Sequence, residues 1–235
     1  MAIDLAIVVV GVFLGIQASN WNDARKDHQL SREYLRRIAG DLHYDVSQLS
    51  DHEQFWKASA DAGDRALRFA EDRQQTSSDW DTLLDFYEAG QIENFGVNDG
   101  TYREMLSARR LDLLGDNRLK ADLSGYYVVQ RGQAHDLFDT LPPYREDVRG
   151  AIPYRLQRYI LDHCHSDDLG ARNRVRCPPP ADQGAVAATL QSLASNAKLI
   201  SELRTWMTTL HYMRGVGGDN QRFAEALIKR IDEER

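Results

Sequence analysis

Residues 5–16 read LAIVVVGVFLGI, and residues 17–49 continue QASNWNDARKDHQLSREYLRRIAGDLHYDVSQL. The first stretch carries no charge at all. In the second, Leu30, Tyr34, Leu35, Ile38, Leu42, Val46 and Leu49 recur three and four residues apart. That spacing marks one apolar face of an α-helix. Arg32, Arg36, Arg37, Asp41 and Asp45 fall between them, on the wet faces. No Gly-Pro break separates the two stretches, so they read as one continuous helix. Further along, Phe55, Trp56, Ala62, Ala66, Leu67 and Phe69 extend the stripe to about Glu71. The expected fold is all-α, with an N-terminal transmembrane helix continuing into an irregular multi-helix bundle.

The apolar run admits three readings. Extended to Ala2–Trp21 it covers twenty positions with Asp4 as the sole charge, and a spanning helix needs about 20 predominantly apolar residues. An uncleaved anchor over residues 1–21 would meet membrane lipid through residues 5–21, with Trp21 at the interface and Asn20, Asn22, Asp23, Arg25 and Lys26 around it. A cleaved signal peptide lacks its basic leader here, and Ile16 stands two residues before Ala18, where a small residue is wanted. A buried core helix is opposed by the run being apolar on every side. The anchor is the reading the residues favour. Gly11 and Gly15 lie one turn apart and would let a second helix approach closely, which makes them candidates for helix packing and self-association. The competing explanation is that glycine is common in membrane helices.

Two signals disagree about which side the remaining residues occupy. Arg25, Lys26, Arg32, Arg36 and Arg37 follow the run and no basic residue precedes it; by the positive-inside rule residues 22–235 would be cytoplasmic. The cysteines point the other way. Cys164 and Cys177 enclose twelve residues, His165 to Arg176, within a loop spanning 163–184. Two cysteines in one loop reach disulfide geometry readily, and such bridges persist in oxidising compartments. The alternatives are two free thiols, or a Cys2His2 metal set with His163 and His165. Structural zinc sites keep their ligands in pairs two to four apart, and Cys177 has no such neighbour.

The remaining chain is helical in pattern throughout. Asp79–Ala89 forms a short helix ended by Gly90. Thr101 and Glu104 have the spacing of a capping box and would open the next helix. Asp116 or Asn117 caps a helix with Leu119, Leu123, Tyr126, Tyr127, Val128 and Leu137 inward. Pro142-Pro143 stops it, and Pro153 kinks or splits the helix that follows. A helix from Gln183 is broken near Asn196. Gly215-Val216-Gly217-Gly218 reads as a hinge over 215–218 before a last helix.

Composition narrows function without naming it. Over 235 residues, 29 Lys and Arg stand against 36 Asp and Glu, a formal net charge of −7. That balance excludes a general nucleic-acid binder, which needs a basic face. His52-Glu53 opens like a zincin motif, but Trp56 stands where the second His belongs. His43 lies between Asp41 and Asp45, and residues two apart on a helix do not face one another. Gly215–Gly218 lacks the Gly-Lys-Ser/Thr ending of a phosphate loop. No catalytic, metal or cofactor motif emerges. Three hypotheses follow: a non-catalytic interaction or scaffold protein, with itself or an unknown protein as partner; a ligand-sensing domain signalling through a partner; and an envelope enzyme built on convergence of groups such as His43, Asp45 and His135.

Two patches resemble a known family. AIVVVGVFLGIQASNW over Ala6–Trp21, with Gln17, Asn20, Trp21 and Asn22 as a Gln-x-x-Asn-Trp-Asn signature, is similar to the start of the DUF6090-type family of bacterial proteins of unknown function. TYREMLSARRLDLLGDNRLKADLSGYY, from Thr101 to Tyr127, resembles that family's middle motif. Family members usually carry a basic tail before the span, and only Met1–Asp4 precede it here. The resemblance implies a single-pass bacterial inner-membrane protein whose residues 22–235 form an extracytoplasmic, periplasmic helical domain. It implies no activity.

Overall fold

A computed structural model describes the backbone of residues 2–72, 74, 77–93, 96–138, 141–164 and 177–234. Side chains are described for the same residues except 2–9, 130–131 and 133–138. The described residues are helical and contain no strand. Helix α1 runs Ala2–Asp72, α2 Asp79–Ala89, α3 Gly100–Ser107, α4 Asn117–Phe138, α5 Pro143–Ala151, α6 Tyr154–His163, α7 Gln183–Ser195 and α8 Ala197–Glu234. A short 3-10 turn, Leu111–Leu113, lies between α3 and α4.

The apolar run and the amphipathic stripe thus belong to one helix, as their uninterrupted periodicity predicts. Among the described residues no helix is long and apolar enough to cross a membrane. Residues 5–9 of the expected span fall outside the described side chains.

The chain divides into two compact units. The first comprises Met1–Val46, Val97–Val129 and Arg222–Arg235. Its core takes Leu35, Ile38 and Leu42 from α1, Tyr102 and Met105 from α3, Leu119, Leu123, Tyr126 and Tyr127 from α4, and Leu227 and Ile231 from α8. The second comprises Ser47–Gly96 and Gln130–Gln221. There α2 packs on α5 and α7, and α5 on α7. Trp56 and Phe69 of α1, Trp80 and Phe86 of α2, Tyr144 of α5 and Trp206 of α8 form its aromatic centre. Two of the buried polar ends meet backbone carbonyls: the Tyr144 hydroxyl donates to Phe86 O at 2.7 Å and Trp206 Nε1 to Ala89 O at 2.7 Å.

Local chemistry sets most helix ends. Ser78 accepts from Asp81 N at the start of α2, and Asp182 from Ala185 N at the start of α7. Asp116 accepts from Arg118 N at the start of α4. Pro153 separates α5 from α6 because it cannot donate to the ladder. Asn196 breaks α7 from α8, and its Oδ1 accepts from Leu199 N at 3.1 Å.

Three expectations are corrected. Gly215–Gly218 is no hinge: it lies inside α8. Gly217 serves close approach instead, since a Cβ there would sit 2.9 Å from Cζ3 of the buried Trp56. Thr101–Glu104 is not a capping box: Asp99 is the N-cap of α3 and makes no side-chain cap bond. Val128 does not face inward but is 66% exposed.

Candidate functional site

Two features of the first unit stand out: a stem that is exposed along its described length, and a clasp that fixes α3 to α1. The stem is α1 up to Gln29. Every residue from 10 to 29 is exposed. Val10, Val12, Phe13, Leu14 and Ile16 are each more than half exposed, and Trp21 is 71% exposed. Nothing approaches within 4 Å of the place a Cβ would take on Gly11 or Gly15. In a water-soluble helix such residues turn one face to a core. Here they point outward all round.

The helix meets the rest of its unit one step later. Asp27 pairs with Arg110 at 3.9 Å, and the Ser31 hydroxyl donates to Leu113 O at 2.8 Å. Further along, Glu104 accepts from Arg37 and from the Tyr34 hydroxyl. Arg37 holds the Glu104 carboxyl below its ordinary range, while burial, with help from Glu104, raises Tyr34. Asp41 accepts from Thr101 N at 3.2 Å and from Asn98 Nδ2 at 3.0 Å. Rising numbers on α3 meet falling numbers on α1. The two helices therefore run antiparallel, and the C-terminal end of α3 points toward Trp21.

The clasp closes on Asp45, which is buried. Its Oδ1 accepts from Asn98 N at 2.8 Å and its Oδ2 from the Tyr126 hydroxyl at 3.0 Å. Burial raises the Asp45 carboxyl and Asp41 adds to that, against the pull of the two donors. Tyr126 and Tyr127 are pushed well above the usual phenol range, first by burial and then by Asp45. Tyr127 stacks on Tyr102 at 4.7 Å, and its buried hydroxyl has no hydrogen-bond partner among the described residues. Sequence spacing places Asp41 and Asp45 on one helix face. It gives no sign that this face receives the backbone of residues 98–101.

In the second unit Cys164 and Cys177 are bonded, with Cα atoms 5.0 Å apart. Cys164 is fully buried, Cys177 packs against the same core, and the Tyr159 hydroxyl donates to Pro178 O at 3.0 Å. His163 ends α6 with its ring 4.4 Å from that of Tyr159. His165 and the loop to Arg176 lie outside the described residues.

The chain matches no known family model, no curated protein and no solved structure. The DUF6090-type resemblance therefore stands on its quoted residues alone.

Among the described residues, His43 and Asp45 are not brought together in one site. His43 is exposed while Asp45 is buried, and the His135 side chain lies outside the described residues. Among the described residues no three His, Cys, Asp or Glu side chains are grouped to hold a metal ion. A shallow, open groove beside the stem is lined by Gln29, Arg32, Glu33, Arg36 and Asp232. Arg36 is already paired with Glu33 at 2.7 Å. The arrangement is suited to holding two helices in register, with charge on the outside.

Proposed function

We propose that this is a membrane-anchored, non-catalytic interaction or scaffold protein of the bacterial inner membrane, with residues 22–235 displayed on the periplasmic side. The supporting observation is the stem: Val10 to Ile16 turn apolar side chains outward in all directions, and Trp21 follows at the point where the chain becomes polar. Exposing that surface to water is unfavourable in proportion to its area. Lipid removes the cost on every side at once, whereas one protein partner covers one face. Ala2–Ser19 contains a single charged residue, Asp4. The DUF6090-type motifs agree with this reading, and the Cys164–Cys177 bond favours an oxidising compartment. The open surface at Gly11 and Gly15 supports self-association within the bilayer.

The test is fractionation of the full-length chain. Expected is recovery in the membrane fraction after alkaline carbonate washing, and loss of that retention in Val10→Asp/Leu14→Asp. Recovery of the unmodified chain in the soluble fraction would sink the anchor. Gly11→Ile with Gly15→Ile should reduce crosslinked oligomers in membranes, and an unchanged ladder would remove the glycine face from the interface.

A further inference from the structure

We infer that the C-terminal end of α3 is a membrane-surface contact, in which Arg109 and Arg110 bind phosphates of anionic lipid headgroups. The inference rests on the reading of α1 as a membrane anchor. Three observations within the first unit carry it.

The first is backbone strain. Arg109 has φ 53° and is the one non-glycine residue with positive φ among the described residues. Arg110 N donates to Met105 O at 2.9 Å and Arg109 N to Leu106 O at 3.2 Å. Those two bonds define a Schellman ending, whose left-handed position is normally glycine. A side chain there is disfavoured, so an arginine in that place calls for a use of its side chain.

The second is height. Arg110 meets Asp27, six residues beyond Trp21, which is about 9 Å along a helix. The headgroup layer is about 5–8 Å thick on each side of the hydrocarbon. The Arg110 guanidinium therefore stands at the outer edge of that layer.

The third is surface chemistry. Guanidinium fits phosphate bidentately. At the same height, Asp23 is engaged by Lys26 and Asp27 by Arg110. Asp232 shares a groove with Gln29, Arg32 and Arg36, roughly 12–22 Å beyond Trp21 along the helix.

The test uses the full chain in vesicles. With Cys164 and Cys177 bonded, Ser107→Cys supplies one thiol for a fluorescent dye at an exposed position next to the contact. Headgroup-nitroxide lipid is added to vesicles of phosphatidylcholine, alone or with phosphatidylglycerol. Expected is stronger quenching of the dye in the phosphatidylglycerol vesicles than in those of phosphatidylcholine alone. Arg109→Gly and Arg110→Gln should each reduce the docked fraction about fivefold relative to undocked. Because glycine suits φ 53°, Arg109→Gly should keep or raise the melting temperature, so its loss of quenching cannot be ascribed to misfolding. If the chain stays in the vesicles through carbonate washing but quenching ignores both lipid composition and these variants, the contact is wrong and the anchor stands. If the chain is not retained at all, the anchor reading fails and the contact with it.

Discussion

Asp45 is a carboxylate placed where water cannot reach it, and two donors make that tenable. Asn98 N–H and the Tyr126 hydroxyl both end on it. Asp45→Ala leaves two buried donors unpaired, each costing about 1–3 kcal/mol. Urea denaturation should therefore show a loss of at least ~2 kcal/mol. Asp45→Asn keeps an acceptor for Asn98 N–H and offers an amide to the Tyr126 oxygen, so its loss at neutral pH should be much smaller. The two chains should then diverge with pH. Burial raises the Asp45 carboxyl above its ordinary 3.8, so the folded state keeps a proton that the unfolded chain has already lost. Such a group favours folding below 3.8, and that contribution is lost as pH rises through its folded-state value. The stability of the parent relative to Asp45→Asn should consequently rise as pH falls from 7 into the window above 3.8. A difference independent of pH would mean that the carboxyl is not perturbed.

At the scale of elements, α8 shows how a glycine can be misread. Gly215, Gly217 and Gly218 cluster as a hinge does, yet α8 passes through them. A Cβ on Gly217 would lie 2.9 Å from a ring atom of buried Trp56, while nothing stands within 4 Å of one on Gly215. Gly215→Ala should therefore stabilise by about 0.5–1 kcal/mol through helix propensity. Gly217→Ala should destabilise by about 1–3 kcal/mol through overpacking. Thermal melts of the two variants test this, and a hinge would make both harmful. The same contrast explains what could be read from sequence. The unbroken α1, the stops at Gly90 and Asn196 and the cap at Asp116 rest on residues within one turn of the feature, so periodicity and capping chemistry reveal them. The start of α3 does not. Thr101 and Glu104 have the right spacing to cap their own helix, but Asp41, Tyr34 and Arg37 of α1 take those groups instead. Partners 60 to 70 residues away leave no local signature. Of the candidate site, the stem was legible because apolar residues without a polar stripe are informative by themselves. The clasp was not, because its acceptor face and its donors lie far apart in sequence.

For the molecule as a whole, the proposed periplasmic placement rests on weighing two signals that disagree. Arg25, Lys26, Arg32, Arg36 and Arg37 follow the apolar run and favour the cytoplasm by the positive-inside rule. That rule expresses a bias in insertion, summed over charges near the span. The Cys164–Cys177 bond depends instead on compartment chemistry, since thiols are kept reduced in the cytoplasm. It is also tied to the fold: Cys164 is fully buried in the core of the second unit, and Cys177 leads into Pro178, whose carbonyl the Tyr159 hydroxyl holds. Closing a loop of this length stabilises by about 3 kcal/mol. Reduction should therefore lower the denaturation midpoint, and hydrogen exchange should quicken in α6 and α7, the helices flanking the loop. A reporter that is active only outside the cytoplasm, fused after Arg235, should be active in cells, and thiol reagents should leave both cysteines unmodified until reductant is added. Free, reactive thiols in the isolated protein, or an inactive reporter, would restore the priority of the five basic residues and place residues 22–235 inside. The proposed placement ranks the bond above the charges because reduction would remove a tether from a buried core, whereas the five basic residues are exposed and tied to no core.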